Sequence, residues 1–315
     1  MATQPTPNPM ADLEAACAQL TYLRQRPLLV LYYPWKSKIR EWDLDDVYQA
    51  LRSSGTVPEN KITELDVLLH STGGSPVGGY RLAQVIRDFA SNVTFLVPEH
   101  AYSAATLLCF AGNQVRLGHF AGLSPIDITL VYAKKEVELA TVDSFMGFAQ
   151  DARKKIEELL SQFDKHCGTN VDSDLLVAMV EEVGAMEIGK YYRERNLTGR
   201  YAQTLLDSYM FAGFLNRDQR RKDVITHFLF GAPAHEFHLD YHLCSDWGVE
   251  AVEMPTDESD LAKDVLKELL DLADSQTICK HLSNTERLPY FGWYALAAQT
   301  APVAAQTIQT GVVTI

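Results

Sequence analysis

The stretch from residue 65 to residue 127 constrains the fold more than any other. It reads LDVLLHSTGGSPVGGYRLAQVIRDFASNVTFLVPEHAYSAATLLCFAGNQVRLGHFAGLSPID. Leu65 to Leu69 is a short apolar run, the length of a buried strand. It runs into HSTGGS, where Gly73 and Gly74 permit backbone shapes closed to other residues. Leu82, Val85, Ile86 and Phe89 then recur at i, i+3, i+4 and i+7, which predicts one buried helix face. Val93 to Val97 predicts a second strand. A loop delivers Ser103, and Ala104, Leu107, Leu108 and Ala111 predict a second helix directly behind it. Two strand–turn–helix units therefore stand in tandem. The first puts a glycine pair at the end of its strand, and the second puts a hydroxyl at the start of its helix.

That order has chemical consequences. The first N–H groups of a helix have no intrahelical partner, and the helix dipole adds positive potential there. A serine at such a point can act as a nucleophile, with the N–H groups of Gly74 and Ala104 binding the oxyanion formed at a carbonyl. The plainer alternative is that Ser103 only caps its helix, a common use of serine.

Two segments, LLHSTGGSPVGGYRLAQVIR and SAATLLCFAGNQVRLGHFAGLSPID, resemble the Clp/crotonase superfamily. Within it they look most like the serine dehydrogenase proteinase family, which is related to the signal-peptide peptidases. Weaker likeness continues in YYRERNLTGRYAQTLLDSYM and HEFHLDYHLCSDWGV, so the resemblance spans roughly residues 28 to 254. It implies an α/β core of repeated strand–turn–helix units and an ATP-independent serine endopeptidase acting on peptide or protein substrates. It carries Ser103 over as nucleophile, and Gly73, Gly74 and Ala104 as oxyanion-hole backbone.

A serine nucleophile needs a base. Clp peptidases place a histidine some 25 residues after the serine. Asp127 stands there instead, and His119 is the nearest histidine. His235 opens HEFHLDYH, where the resemblance also places a histidine. His119 and His235 are thus rival bases, and Asp127 is the orienting carboxylate or a binding residue. Signal-peptide peptidases use a lysine, for which Lys134, Lys135, Lys154 and Lys155 fall within reach. HEFHLDYH also offers His235, His238, Asp240 and His242 as metal ligands. Its first two histidines are three apart, so the HExxH pattern is absent, and neither a metal nor a cofactor is expected.

Composition narrows the partners. The net charge of −13 over 315 residues argues against binding nucleic acid by its backbone. Seven of those negative charges arise between Glu250 and Asp274. Five widely spaced cysteines without a CxxC pair fit a reducing compartment. No targeting or membrane segment is read, so the expectation is a cytoplasmic homo-oligomer without a membrane partner.

The expected organisation is a disordered tail over 1–10, the nucleophile-bearing core over 11–139, a helical half completing it over 140–288, and a tail over 289–315. Two rivals share these features. One is a catalytically silent scaffold or peptide-binding oligomer. The other is a crotonase-type enzyme acting on acyl thioesters, which Ser103 in its SAAT context disfavours.

Overall fold

The computed structural model describes residues 9–53, 55, 57–127, 158, 161, 185–232, 234–275, 289–295 and 309–313. The chain forms two compact units, one from Met1–Ile126 with Tyr201–Ile315 and one from Asp127–Arg200. The expected boundary at 139/140 lies outside the described residues.

The first unit is an α/β fold around a seven-stranded sheet. Its strands are β1 (Leu28–Tyr32), β2 (Ile62–His70), β3 (Ala90–Val97), β5 (Gln114–Leu117), β7 (Ala251–Glu253), β8 (Tyr290–Ala295) and β9 (Gln309–Val313). The short strands β4 (His100–Ala101) and β6 (Gly122–Leu123) pair separately in parallel. The sheet order is β7-β5-β3-β2-β1-β8-β9. The five strands from β7 to β1 run parallel, and β8 and β9 close the β1 edge antiparallel.

Alternation along the strands explains why both faces are covered. Leu29, Leu31, Val67, Leu69, Phe95 and Val97 face one core, with Leu82, Ile86 and Phe89 of α3 (Pro76–Phe89) and Leu107 and Leu108 of α4 (Ala104–Cys109). Leu28, Val30, Tyr32, Leu68 and Leu96 face a second core. That one is filled by Leu13, Cys17 and Leu20 of α1 (Pro9–Arg24) and by Val265 and Leu269 of α8 (Thr256–Ser275). A parallel sheet buried on both faces reads as continuous apolar runs, as β1 does. Ser75 starts α3 by accepting the Gly78 N–H at 3.1 Å, with Pro76 in the first turn.

One expectation differs from what is observed. Tyr290–Ala295 is a sheet strand rather than tail. Its aromatics alternate, Phe291 and Trp293 entering one core and Tyr290 and Tyr294 the other, so it pairs and covers the β1 edge. The helix α5 runs unbroken over Ala185–Leu205, and within it the Thr198 hydroxyl donates to the Glu194 carbonyl at 3.0 Å. In the second unit, Arg195 lies 7% exposed over the ring of Tyr192 and pairs with Glu158 at 3.5 Å. Other α-helices among the described residues are α2 (Asp43–Arg52), α6 (Arg217–Thr226) and α7 (Tyr241–Asp246). No described helix is long and apolar enough to cross a membrane.

Candidate active site

Ser103 joins β4 to α4 with φ 54° and ψ −115°. This backbone shape costs a non-glycine residue about 1–3 kcal/mol, and such strain concentrates at functional turns. It also removes the capping alternative. A capping serine is extended and accepts a helix N–H, whereas the Ser103 side chain makes no cap hydrogen bond.

Neighbouring hydroxyls fix the strained residue. The Ser103 N–H donates to Ser124 Oγ at 2.8 Å. The Ser124 N–H donates to Thr106 Oγ1 at 3.1 Å, and the Thr106 hydroxyl donates to the Ala101 carbonyl at 2.7 Å. The Ser124 hydroxyl donates onward to the Pro125 carbonyl at 3.0 Å. Nothing in the local pattern of the sequence marked Ser124 or Thr106, because the segment that meets Ser103 returns 21 positions later.

The glycine turn lies against this elbow. Ser71 N–H donates to the His100 carbonyl, and Tyr102 N–H donates to the Ser71 carbonyl, tying the end of β2 to β4. Gly73 and Gly74 have φ 94° and 152°. A side chain on Gly73 would meet the Tyr102 carbonyl at 2.7 Å and Ser103 Cβ at 2.8 Å. One on Gly74 would strike the main chain of Ile39. Glycine is required at both positions by contact as well as by φ.

The donors separate into occupied and open. Gly73 N–H donates to Ser71 Oγ at 3.0 Å, so Gly73 contributes close approach rather than a free donor. The N–H groups of Gly74 and Ala104 have no acceptor among the described residues. The glycine turn brings Gly73 close to the Ala104 N–H, since a point one bond out from Gly73 Cα lies 3.3 Å from Ala104 N. Two unpaired N–H groups beside a strained serine can stabilise an anionic tetrahedral centre.

The rival bases are placed differently. His119 follows β5, and its Nδ1 lies 2.9 Å from Glu253 Oε1. Its N–H donates to Ser259 Oγ and its side chain is 64% exposed. His235 is half-buried in the turn before Leu239. Asp127 opens the second compact unit. Lys134, Lys135, Lys154 and Lys155 lie outside the described residues. Among the described residues, none hydrogen-bonds to the Ser103 hydroxyl.

Within HEFHLDYH, Asp240 Oδ1 accepts the Leu243 N–H at 2.9 Å and starts α7. His238 packs over Gly122, and its Nδ1 lies 3.1 Å from the hydroxyl of Tyr102, the residue before Ser103. Burial raises the Tyr102 hydroxyl above its ordinary value, with a smaller contribution from Glu99.

No family model matches this chain. It is similar to two uncharacterized proteins of Methanocaldococcus jannaschii. With MJ0137 it is 25% identical over 84 residues, which is 27% of this chain and 29% of that protein. With MJ1495 it is 24% identical over 104 residues, 33% of this chain and 34% of that protein. The matched stretch thus spans about a third of each relative. Among solved structures it is similar to the ClpP protease catalytic domain from Plasmodium falciparum. That match has a TM-score of 0.40 and 8% identity, covering 81% of this chain and 96% of the other. A Plasmodium falciparum peptidase matches at a TM-score of 0.29 with 15% identity, covering 52% and 87%.

Proposed function

We propose that this chain is a serine peptidase of the Clp type. Ser103 attacks a peptide carbonyl, and the N–H groups of Gly74 and Ala104 receive the oxyanion. The observation that carries this reading is the strained, uncapped Ser103 beside two unpaired N–H groups. Collapse of the tetrahedral centre breaks the C–N bond and leaves an acyl-serine. Water then attacks the ester, releases the acid product and regenerates the hydroxyl. A general base takes the serine proton and returns it to the leaving amine. His119 and His235 are the proposed candidates, with Asp127 as orienting carboxylate. The peptidase needs no ATP, works on peptide or protein chains as an endopeptidase, and assembles as a cytoplasmic homo-oligomer.

Labelling by a serine-directed fluorophosphonate tests this. Wild type is expected to label and Ser103→Ala to lose all labelling. His119→Ala and His235→Ala, run in parallel, identify the base by which of them loses it. Wild type that resists labelling at every concentration overturns the peptidase reading. One observation favours the silent, peptide-binding alternative: no described residue accepts the Ser103 hydroxyl proton. On that alternative, peptides bind wild type and Ser103→Ala equally and neither is labelled.

A further inference from the structure

The histidines behind the nucleophile turn form a second constellation. His70 ends β2 and is 6% exposed. His100 begins β4, and the two imidazole centroids are 4.1 Å apart. Glu99 Oε2 lies 3.6 Å from His70 Nδ1 and 3.8 Å from His100 Nδ1. These separations are too long for hydrogen bonds. They suit ligands that share one ion, because bonds of about 2.0–2.2 Å set ligand atoms around a tetrahedral centre about 3.4 Å apart. One ligand atom from each residue falls within 4.8 Å of the other two.

The buried atoms are also unsatisfied. His70 Nδ1 and His100 Nε2 have no hydrogen-bond partner. An unmet buried polar atom costs about 1–3 kcal/mol, and His70 Nδ1 is the one that lies nearest Glu99 Oε2, where an ion would satisfy it.

We propose that His70, Glu99 and His100 bind one divalent transition-metal ion. Two imidazoles and one carboxylate suit zinc and its neighbours rather than calcium or magnesium, which take oxygen ligands. Three protein ligands leave a fourth position open. The ion bridges β2 and β4 next to the Ser71–Ala101 pairing, on the two segments that lead into Gly73 and Ser103. It clips together the strands that present the glycine pair and the serine.

The test uses the full chain, stripped with a chelator and titrated with Co²⁺ as a spectroscopic probe. Wild type is expected to show saturable visible absorption at one ion per chain. His70→Ala, His100→Ala and Glu99→Gln should each weaken binding by more than about tenfold, since even indirect ligand supports contribute that much. His242→Ala, outside the cluster, should bind as wild type. Zn²⁺ should raise the Tm of wild type but not of Glu99→Gln, a change at a residue whose side chain is 59% exposed and which leaves the fold intact. Absence of Co²⁺ binding by wild type overturns the proposal, and so does undiminished binding by the Glu99→Gln chain. Neither readout depends on Ser103, so its outcome stands apart from the peptidase reading.

Discussion

Around Asp66, which is 1% exposed, charges are matched. Arg24 donates from Nε at 2.7 Å and from Nη2 at 3.1 Å to its two oxygens, and Arg24 Nη1 reaches Glu258 at 3.2 Å. Arg116 holds the same Glu258 at 2.6 and 2.7 Å. α1, β2, β5 and α8 are tied by one network. A short distance along the sheet, the turn at Ser103 leaves two N–H groups open and holds a serine at positive φ. The charges around Asp66 meet partners, whereas the turn at Ser103 gathers open donors and backbone strain in one place. That combination is a signal of chemistry, because strain and unmet polar groups concentrate at functional sites.

Four substitutions can break or sharpen this contrast. The largest effect is expected at Gly74→Ala, where the new methyl strikes the Ile39 main chain and displaces a donor N–H. Peptidase turnover should fall about a hundredfold or more, with about 1–3 kcal/mol of backbone strain. Full activity in this variant would mean that Gly74 holds no oxyanion. Asp66→Ala should do the opposite. Removing one partner from a buried pair costs about 3–5 kcal/mol, read by urea unfolding, while activity per folded molecule is unchanged. An activity loss at 25 °C would join the two regions that the contrast separates.

Ser71→Ala removes the acceptor for Gly73 N–H and should cost about 1 kcal/mol, lowering kcat more than it changes KM. The smallest effect is expected at Asp43→Asn. Burial raises the Asp43 carboxyl above its ordinary 3.8, against the Arg40 N–H and the Tyr33 hydroxyl that favour the charged form. The native state thus holds this proton to higher pH than the unfolded chain does. Wild type should lose stability as pH rises from 3.8 through the raised value, and the Asn variant should lack that slope. Denaturant midpoints measured across that interval decide it.

The tandem strands, the glycine pair and Ser103 were legible because each is written in a local period or a short turn. The braces on the turn were not. Ser124 reaches Ser103 across 21 positions, and Ile39 reaches Gly74 across a helix and a strand. Such contacts are set by strand order, which the local pattern does not encode. Tyr290–Ala295 was misread for a related reason. Its aromatic alternation was visible, but the exposed β1 edge that recruits it exists only once the sheet is assembled. The convergence of His70 with His100 is likewise not local, since it needs the pairing that brings the end of β2 to β4.

The two glycines also set a limit on how this site can be inherited or transplanted. Gly73 is pressed against Tyr102 and Ser103, and Gly74 against Ile39, so three segments drawn from about 70 residues of chain touch within one turn. Grafting HSTGGS or YSAAT alone onto another scaffold moves one surface of that contact and leaves its counterparts behind. The smallest portable piece of this site is the set of three, and drift at Ile39 would be felt at Ser103 before any side chain of the turn had changed.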